Sequence, residues 1–443
     1  MCKQIMKSFL CMMLLFGCVL TNIMVVEPIL GETSFSISFQ EPYVLPNETL
    51  TLQVEGANVE ECSITWYRDG QEISAMKNQL TYQVKDSDMQ KLIKVEVIYQ
   101  DQSQSVQMLI SKLPVVYIDI EDGKEVTSKD TYLDAQIKIQ NSALYAQYGT
   151  QYEGKTEIKG RGNSTWGLPK KPYRLKFDKK SDVLGMGSNK HWVLLANYYD
   201  TSLLRNTLAY NLAADLDMTY TATVHVDVVI NGTKRGNYQL CEQIRIDKTR
   251  VNIFDWESFG EDVAETIAEA EQLDKDSEDN IEDLLVENLN YVTTGAFTYN
   301  QKTYHLADYG IEVPEFTGGF LMEMDEQMDE VSKFYTSLSQ PMMFKSPEFI
   351  KTNQDMMNYV INIFETFEEA IQSTPNFTAV YDASSIVHYS DLFDLQALID
   401  YWWIQEVFYN QDGVRRSTYM YQDLNGKVVM GPVWDFDWSS GGM

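Results

Sequence analysis

YWWIQEVFYNQDGVRRSTYMYQDLNGKVVMGPVWDFDWSSG, residues 401–441, reads as a helix, a loop, a hairpin and a strand end that carries two acids. The helix, over 389–410, has Leu392, Leu395, Leu398, Ile399, Trp402 and Trp403 on one face, which predicts a core-facing side. It ends at Asn410-Gln411-Asp412-Gly413, a turn signal. STYMYQ and KVVMGPV then form a hairpin joined at Asn425-Gly426. The second strand runs into Trp434-Asp435-Phe436-Asp437-Trp438. With a strand period of two, Asp435 and Asp437 share one face and the three aromatics fill the other. Two carboxylates backed by aromatics suit a hard divalent cation such as Mg²⁺, which takes oxygen ligands and completes its shell with water or phosphate. A strand with a merely polar outer face would also show acids there, but would not explain three large aromatics beside them.

Two blocks upstream add possible chemistry. KGRGNSTWGLPKKPYRLKFDKK, residues 159–180, is a Gly-rich turn feeding a strand on which Arg174 and Lys176 point to the same side. Such a turn can approach phosphates and the cations can neutralise them; glycines near lysines equally describe an ordinary surface hairpin. In residues 191–218, Asp200 or Thr201 is placed to cap a helix over 202–216 that carries Arg205 and Asn206. A hairpin at Asn231-Gly232 leads into GNYQLCEQI, a half-buried strand that Glu242 and Gln243 end. A glutamate there also reads as a surface residue. A further helix is expected over 353–373.

Before residue 115 the texture differs. Residues 34–113 hold short alternating strands separated by polar turns, with Trp66 between Cys62 and the turn Arg68-Asp69-Gly70. This predicts a small immunoglobulin-like β-sandwich, although the second cysteine of a true immunoglobulin pair is missing. From VVYIDIEDG, residues 115–123, a mixed α/β texture runs to the end. The fold class expected is therefore α+β. Between Asp255 and Glu287 stand fourteen acidic residues and one lysine, with a helical period but little apolar face, which predicts a solvated insertion over about 255–290. Calcium-loop spacing of Asp, Asn and Gly is not seen there.

The N-terminus reads as an export signal over 1–31: Lys3 and Lys7 precede an apolar run over 9–26. That run approaches the ~20 residues of a membrane anchor, so an uncleaved signal anchor and a lipoprotein box at Cys18 stay open beside a cleaved signal. Only Cys62 and Cys241 lie beyond it, and no Cys/His cluster suggests zinc. The formal net charge of −30 repels nucleic acid and anionic membrane and attracts cations or basic polypeptides; it also simply aids solubility.

RGNSTW, KPYRLKF, WVLLANYYD with LLRN, GNYQLCEQI, GGFLMEMDE and GPVWDFDWS, in this order, resemble the CotH kinase domain, best known from bacterial spore coat proteins. The resemblance covers about 115–443. It implies an atypical protein-kinase fold that uses ATP and Mg²⁺ to phosphorylate Ser or Thr of a protein. By motif, Asp412 resembles the catalytic-loop acid and Asp435 the metal-binding acid, 23 positions apart with a hairpin between them, as in protein kinases. Lys176 resembles the strand lysine that pairs with ATP phosphates. Arg161 and Asn163 would lie in the nucleotide-covering turn, and Glu242 near the adenine-side strand.

There are departures. Ser417 stands where kinases place a second metal-binding Asn, and the chain stops at Met443, where family domains continue, so a truncated C-terminal end is expected. The function expected is an exported Ser/Thr protein kinase, secreted or at the cell surface, acting on a basic or Ser-rich protein. A non-catalytic surface, spore-coat or adhesion protein that keeps the fold is the alternative. A glycosidase fits less well, since acids two residues apart on one strand lie about 7 Å apart but face the same way.

Overall fold

A computed structural model of the chain describes residues 35–149, 151–381 and 385–440. The export signal expected over 1–31 lies outside the described residues. Among those described, no helix is long and apolar enough to cross a membrane. Contacts divide the chain into a unit ending at Ser111 and a unit beginning at Lys112.

The first unit holds β1 (Ser36–Phe39), β2 (Thr49–Glu55), β3 (Ser63–Arg68), β4 (Gln71–Glu72), β5 (Thr81–Gln83), β6 (Leu92–Tyr99) and β7 (Gln102–Leu109). They form two sheets, ordered β1-β2-β5 and β4-β3-β6-β7, that share one core. Alternation does the sorting: in β6, Ile93, Val95 and Val97 are buried while their neighbours are not. Trp66 is fully buried, stacks on Tyr82 at 5.7 Å and donates its indole N–H to Gln79 O. Cys62 is a free, buried thiol, as is Cys241 of the second unit.

The second unit begins with a closed seven-stranded barrel: β8 (Val115–Ile120), β9 (Leu133–Gln140), β10 (Glu153–Gly160), β11 (Tyr173–Asp182), β12 (Ser188–Leu195), β13 (Thr223–Ile230) and β14 (Thr233–Glu242). Neighbours run antiparallel except β8 and β13. On β11, Tyr173, Leu175 and Phe177 fill the barrel, so Arg174 and Lys176 face outward, as the period of two requires. Asn231 and Gly232 both take positive φ at the β13–β14 turn, the conformation an Asn-Gly hairpin prefers. Val193, Leu195 and Cys241 point out of the barrel into a second core.

That core is built by α1 (Arg205–Asp215), α2 (Trp256–Glu271), α3 (Lys275–Glu287), α4 (Asn290–Thr294), α5 (Gln354–Gln372), α6 (Tyr389–Leu392) and α7 (Leu395–Val407) around a second sheet. Two small hairpins, β15 (Ala296–Tyr299) with β16 (Lys302–His305) and β20 (Thr378–Val380) with β21 (Ile386–His388), stand apart from it. The second sheet consists of β17 (Phe320–Met324), β18 (Lys333–Tyr335), β19 (Pro341–Ser346), β22 (Thr418–Gln422) and β23 (Val429–Met430), in the order β18-β19-β17-β22-β23. Gly318 leads into β17 where a Cβ would lie 2.0 Å from Asp423 O, so the close approach of the two segments requires glycine.

Two expectations are corrected here. The acidic stretch is helical, as its period indicated, but the pair α2 and α3 is not solvated: Val263, Ala264, Ile267, Ala268, Ile281 and Leu285 are buried in the second core. Its apolar stripe is narrow and rich in Ala, so the many acids hid it. The helix expected over 389–410 breaks at Phe393 and Asp394 into α6 and α7, and its aromatic face is not core. Tyr401 and Ile404 are buried, whereas Ile399, Trp402, Trp403 and Val407 are exposed.

Candidate functional site

A cleft of about 380 Å³ lies between the barrel and the second sheet. Its barrel wall is the turn after β10 together with Lys159 and Arg174, which sit opposite each other in the β10–β11 register. Gly162 takes φ +85°, and a Cβ there would meet Thr165 Oγ1 at 2.3 Å, so glycine allows the turn to close. Asn163, also lining the cleft, precedes the short 3-10 helix Ser164–Gly167. The Arg161 guanidinium lies 5.4 Å from the Trp434 ring centroid.

These cations are under-compensated. Burial pushes the Lys159 pKa down, and the neighbouring charge of Arg174 adds to it. Burial does the same to Arg174, reinforced by Arg161 and Arg245 against the opposing Tyr132. Arg174 Nε is buried with no hydrogen-bond partner among the described residues. Clustered cations with an unused donor suit an anionic, oxygen-rich ligand.

The sheet wall is acidic. Glu323 and Asp325, on and just after β17, line the cleft with Asp329, Glu330 and Lys345. Lys345 sits at a register shift between β17 and β19 and pairs with Glu323 Oε2 at 3.3 Å and with Glu330. Burial pushes the Glu323 pKa up to about 7 despite that lysine. Glu326 pairs with Arg415 at 2.6 Å and Arg416 at 2.9 Å, and Arg416 Nη1 stands 3.5 Å from Asp412 Oδ1. The loop bearing Asp412 is thereby tied to the segment after β17. The three acids of GGFLMEMDE thus all serve this region, a role not assigned from the sequence. Alternation along a strand marks Glu323, but only the strand register reveals its partner.

The Trp434–Trp438 segment is not a strand end: regular structure stops at Met430, and Asp435 takes φ +66°. Aspartate tolerates this left-handed conformation better than most residues. Consequently Asp435 and Asp437 do not share a strand face. Asp435 lines the cleft, while Asp437 is buried and feels the charge of Asp200. Trp434 and Phe436 are buried as expected, but Trp438 is exposed, stacked on Tyr199 at 5.9 Å.

Helix α1 holds this segment. Asn206 Oδ1 accepts the Phe436 N–H at 2.7 Å, and Arg205 Nη1 donates to Asp437 O at 3.0 Å. Asp200 Oδ2 accepts the Arg205 N–H at 2.9 Å at the start of the helix. The Ser417 N–H donates to Asp325 Oδ2 at 3.1 Å.

Five carboxyls, of Asp435, Asp437, Asp412, Asp325 and Asp200, act on one another electrostatically. Burial holds the Asp435 pKa up, with Asp412 and Asp325 adding to it and Arg161 opposing it. Burial pushes Asp437 up to about 7, with Asp435, Asp200 and Asp412 adding to it. Asp412 itself is half-buried and lies outside the lining of the cleft. Among the described residues, no three His, Cys, Asp or Glu side chains form a ready metal cage. Mg²⁺ does not need one, since one or two carboxylates plus water and phosphate oxygens suffice. Hard oxygen donors whose charges are raised in energy by burial and by each other fit such an ion.

Two sequence-predicted residues fall elsewhere. Lys176 is exposed and pairs with Glu157 at 3.3 Å, two residues along β11 from the cleft. Period two puts it on the same face as Arg174, but the cleft covers only that strand's first residues. Glu242 is buried at the end of β14 and lines a separate cavity, while its neighbours Gln243 and Ile244 line the cleft.

Comparison with known proteins adds the following. A family model described as "CotH kinase protein" matches residues 158–304 and 319–443, more than half of the chain. No curated protein matches it. Among solved structures, the mouse nectin-like molecule 4 full ectodomain (Ig1–Ig3) matches at 14% identity with a TM-score of 0.12, covering 35% of this chain and 60% of that one. A likeness at that score carries no argument about the fold.

Proposed function

The chain belongs to the CotH kinase protein family, and from that premise we propose that its cleft transfers the γ-phosphoryl group of ATP to a Ser or Thr hydroxyl of a protein, with Mg²⁺ required. The observation that carries this reading is one cleft in which the under-compensated cations Lys159 and Arg174 face Asp435.

Lys159, Arg161 and Arg174, which line the cleft, bind and orient the triphosphate. Asp435, the acid that lines the cleft, would hold the metal, and Asp437, buried outside that lining, would act on it through charge. Mg²⁺, when bound, offsets the charge that develops on the transferring group. Asp412 accepts the hydrogen bond of the acceptor hydroxyl and takes its proton as the new P–O bond forms and the bond to ADP breaks. Glu326 keeps Asp412 in position through Arg416. A basic substrate suits the net charge of −30 and the acids of the sheet wall. The apolar run over 9–26 supports export to the cell surface or a spore coat.

The test is ATP turnover by the full chain with a basic, Ser-containing acceptor protein. Asp412→Ala and Asp435→Ala are each expected to lower turnover at least about a hundredfold, and chelating the metal to abolish it. Wild-type turnover in either variant would refute the assignment of roles. No binding of ATP with Mg²⁺ to the wild type would favour a surface or adhesion protein that keeps the fold without the chemistry.

A further inference from the structure

Helix α7 turns an apolar face to solvent. Tyr401, Ile404 and Gln405 form its buried side. Leu395, Ile399, Trp402, Trp403 and Val407 recur at helical spacing on the other side and make one stripe along the helix. Trp402 is 47% exposed, Trp403 53% and Val407 66%. The two indoles lie edge to face with ring centroids 4.9 Å apart. Single exposed hydrophobics are ordinary, but a continuous stripe that includes two tryptophans has the composition of an interface.

Charge decides what covers it. Glu406 is exposed inside the stripe, one turn beyond Trp402 and Trp403, and its carboxylate has no partner among the described residues. It stands in the last turn of α7, where the helix dipole disfavours an anion, and that turn holds no basic residue. The helix's other acid is Asp400, and α7 contains no Lys, Arg or His. A cation brought by a partner therefore gains from Glu406 and from the helix end together. An anionic bilayer or a second copy of a chain with net charge −30 is repelled instead. A stripe that follows a helix axis is the surface on which another amphipathic helix packs.

The face also adjoins the loop of Asp412. Asn410 N–H donates to Gln405 O at 3.0 Å and Asn410 Nδ2 to Gln405 Oε1 at 2.9 Å, so the loop is folded back onto the end of α7. A partner seated on the stripe is held close to that acid. We propose that α7 docks a basic amphipathic helix of the acceptor protein, its apolar residues against Trp402, Trp403 and Val407 and a Lys or Arg on Glu406. This rests on the reading of Asp412 as the acid that serves the acceptor hydroxyl.

The probe is a synthetic peptide of leucine and lysine in helical period, as long as α7, with one serine at its end. Fluorescence anisotropy with the full chain should show saturable binding in the micromolar range. A peptide of the same residues in scrambled order, and one with glutamate in place of lysine, should each bind at least about tenfold more weakly. Trp403→Ser should weaken the peptide at least about tenfold and Glu406→Gln about threefold. Both should keep wild-type affinity for ATP with Mg²⁺, because neither residue lines the cleft. No binding, equal binding of the scrambled peptide, or wild-type peptide affinity in Trp403→Ser overturns the proposal. Self-association of the wild type, or its binding to phosphatidylglycerol vesicles, also overturns it if Trp403→Ser abolishes that behaviour. Peptide binding without transfer to its serine would uphold the docking face and count against phosphoryl transfer, so the two readings fail separately.

Discussion

Asn206→Ala tests whether helix α1 positions the acid of the cleft. The side chain is 2% exposed and joins two elements: its Oδ1 accepts the Phe436 N–H at 2.7 Å, and its Nδ2 donates to Asn197 Oδ1 at 3.0 Å. Asn197 in turn donates to Gln239 Oε1 on β14 at 2.7 Å. Alanine therefore orphans a buried donor and a buried acceptor, each worth about 1–3 kcal/mol. Because both belong to one network their costs are not independent, and a loss of about 2–4 kcal/mol is expected. The functional effect follows from Asp435, which precedes Phe436 and holds φ +66°. That conformation costs a residue with a side chain about 1–2 kcal/mol, and the Phe436 anchor helps to impose it. Released, Asp435 relaxes toward extended backbone and its carboxyl leaves the cleft. Denaturant unfolding should show the stability loss, and ATP–Mg²⁺ affinity should fall at least about tenfold at a temperature where the variant is still folded. Asn206→Asp keeps the acceptor for Phe436 and should retain more of the stability. A wild-type unfolding midpoint, or wild-type nucleotide affinity in Asn206→Ala, would refute the positioning argument.

Other outcomes follow from single features. Glu257 accepts the Glu348 N–H at 2.9 Å, and burial, more than the charges of Asp255 and Glu348, pushes its pKa up to about 7 from 4.5. A raised carboxyl binds its proton more tightly in the folded state, so its contribution is full below about pH 4.5 and is lost as pH rises through about 7. Glu257→Gln, which keeps the acceptor, should therefore gain about 1–2 kcal/mol over wild type near pH 8, after allowing for solvent at a half-buried group, and little near pH 4.5; a pH-independent difference in unfolding would contradict this. Ile267→Ala, in the acidic helix α2, should cost about 2–4 kcal/mol by denaturant unfolding, because Ile267 is fully buried in the second core; a solvated insertion would lose almost nothing. Gly162→Ala should strain the turn by about 1–2 kcal/mol, lower the unfolding midpoint accordingly, and weaken nucleotide binding several-fold.

Period-two alternation was legible wherever a strand has one buried face. It correctly turned Arg174 and Lys176 to the same side of β11, and the same alternation buries Ile93, Val95 and Val97 of β6. It failed at Trp434–Trp438, where three aromatics alternating with two acids mimic a strand. Gly431 and Pro432 intervene after β23, and Phe436 is tied to a helix more than two hundred residues earlier. Such a tie is invisible to any local pattern. The acidic pair α2 and α3 failed for the opposite reason. Charge counting weighs every residue alike, whereas burial depends on a stripe of few residues, here Val263, Ala264, Ile267 and Ala268.

The site shows the same division between chemistry and address. Residue types were informative: Asp412 and Asp435 do bear on each other electrically, and the turn at 160–165 does line the cleft beside Arg174. Addresses were not, because a two-residue step along β11 decides whether a cation neighbours Lys159 in the cleft or Glu157 outside it. Glu242 makes the point more sharply. Its position at the end of the strand was read correctly, but the last five residues of β14 are all buried, so Glu242 is neither a surface residue nor on a half-buried face, and it lines a second cavity. Charge patterning explains why the two faces of this protein differ. In a chain with a net charge of −30, cations gathered into one wall raise each other's energy, as Arg161 and Arg245 do for Arg174. Folding tolerates that repulsion only where something else gains from it, and an anionic ligand held between Lys159, Arg161 and Arg174 is what the geometry offers.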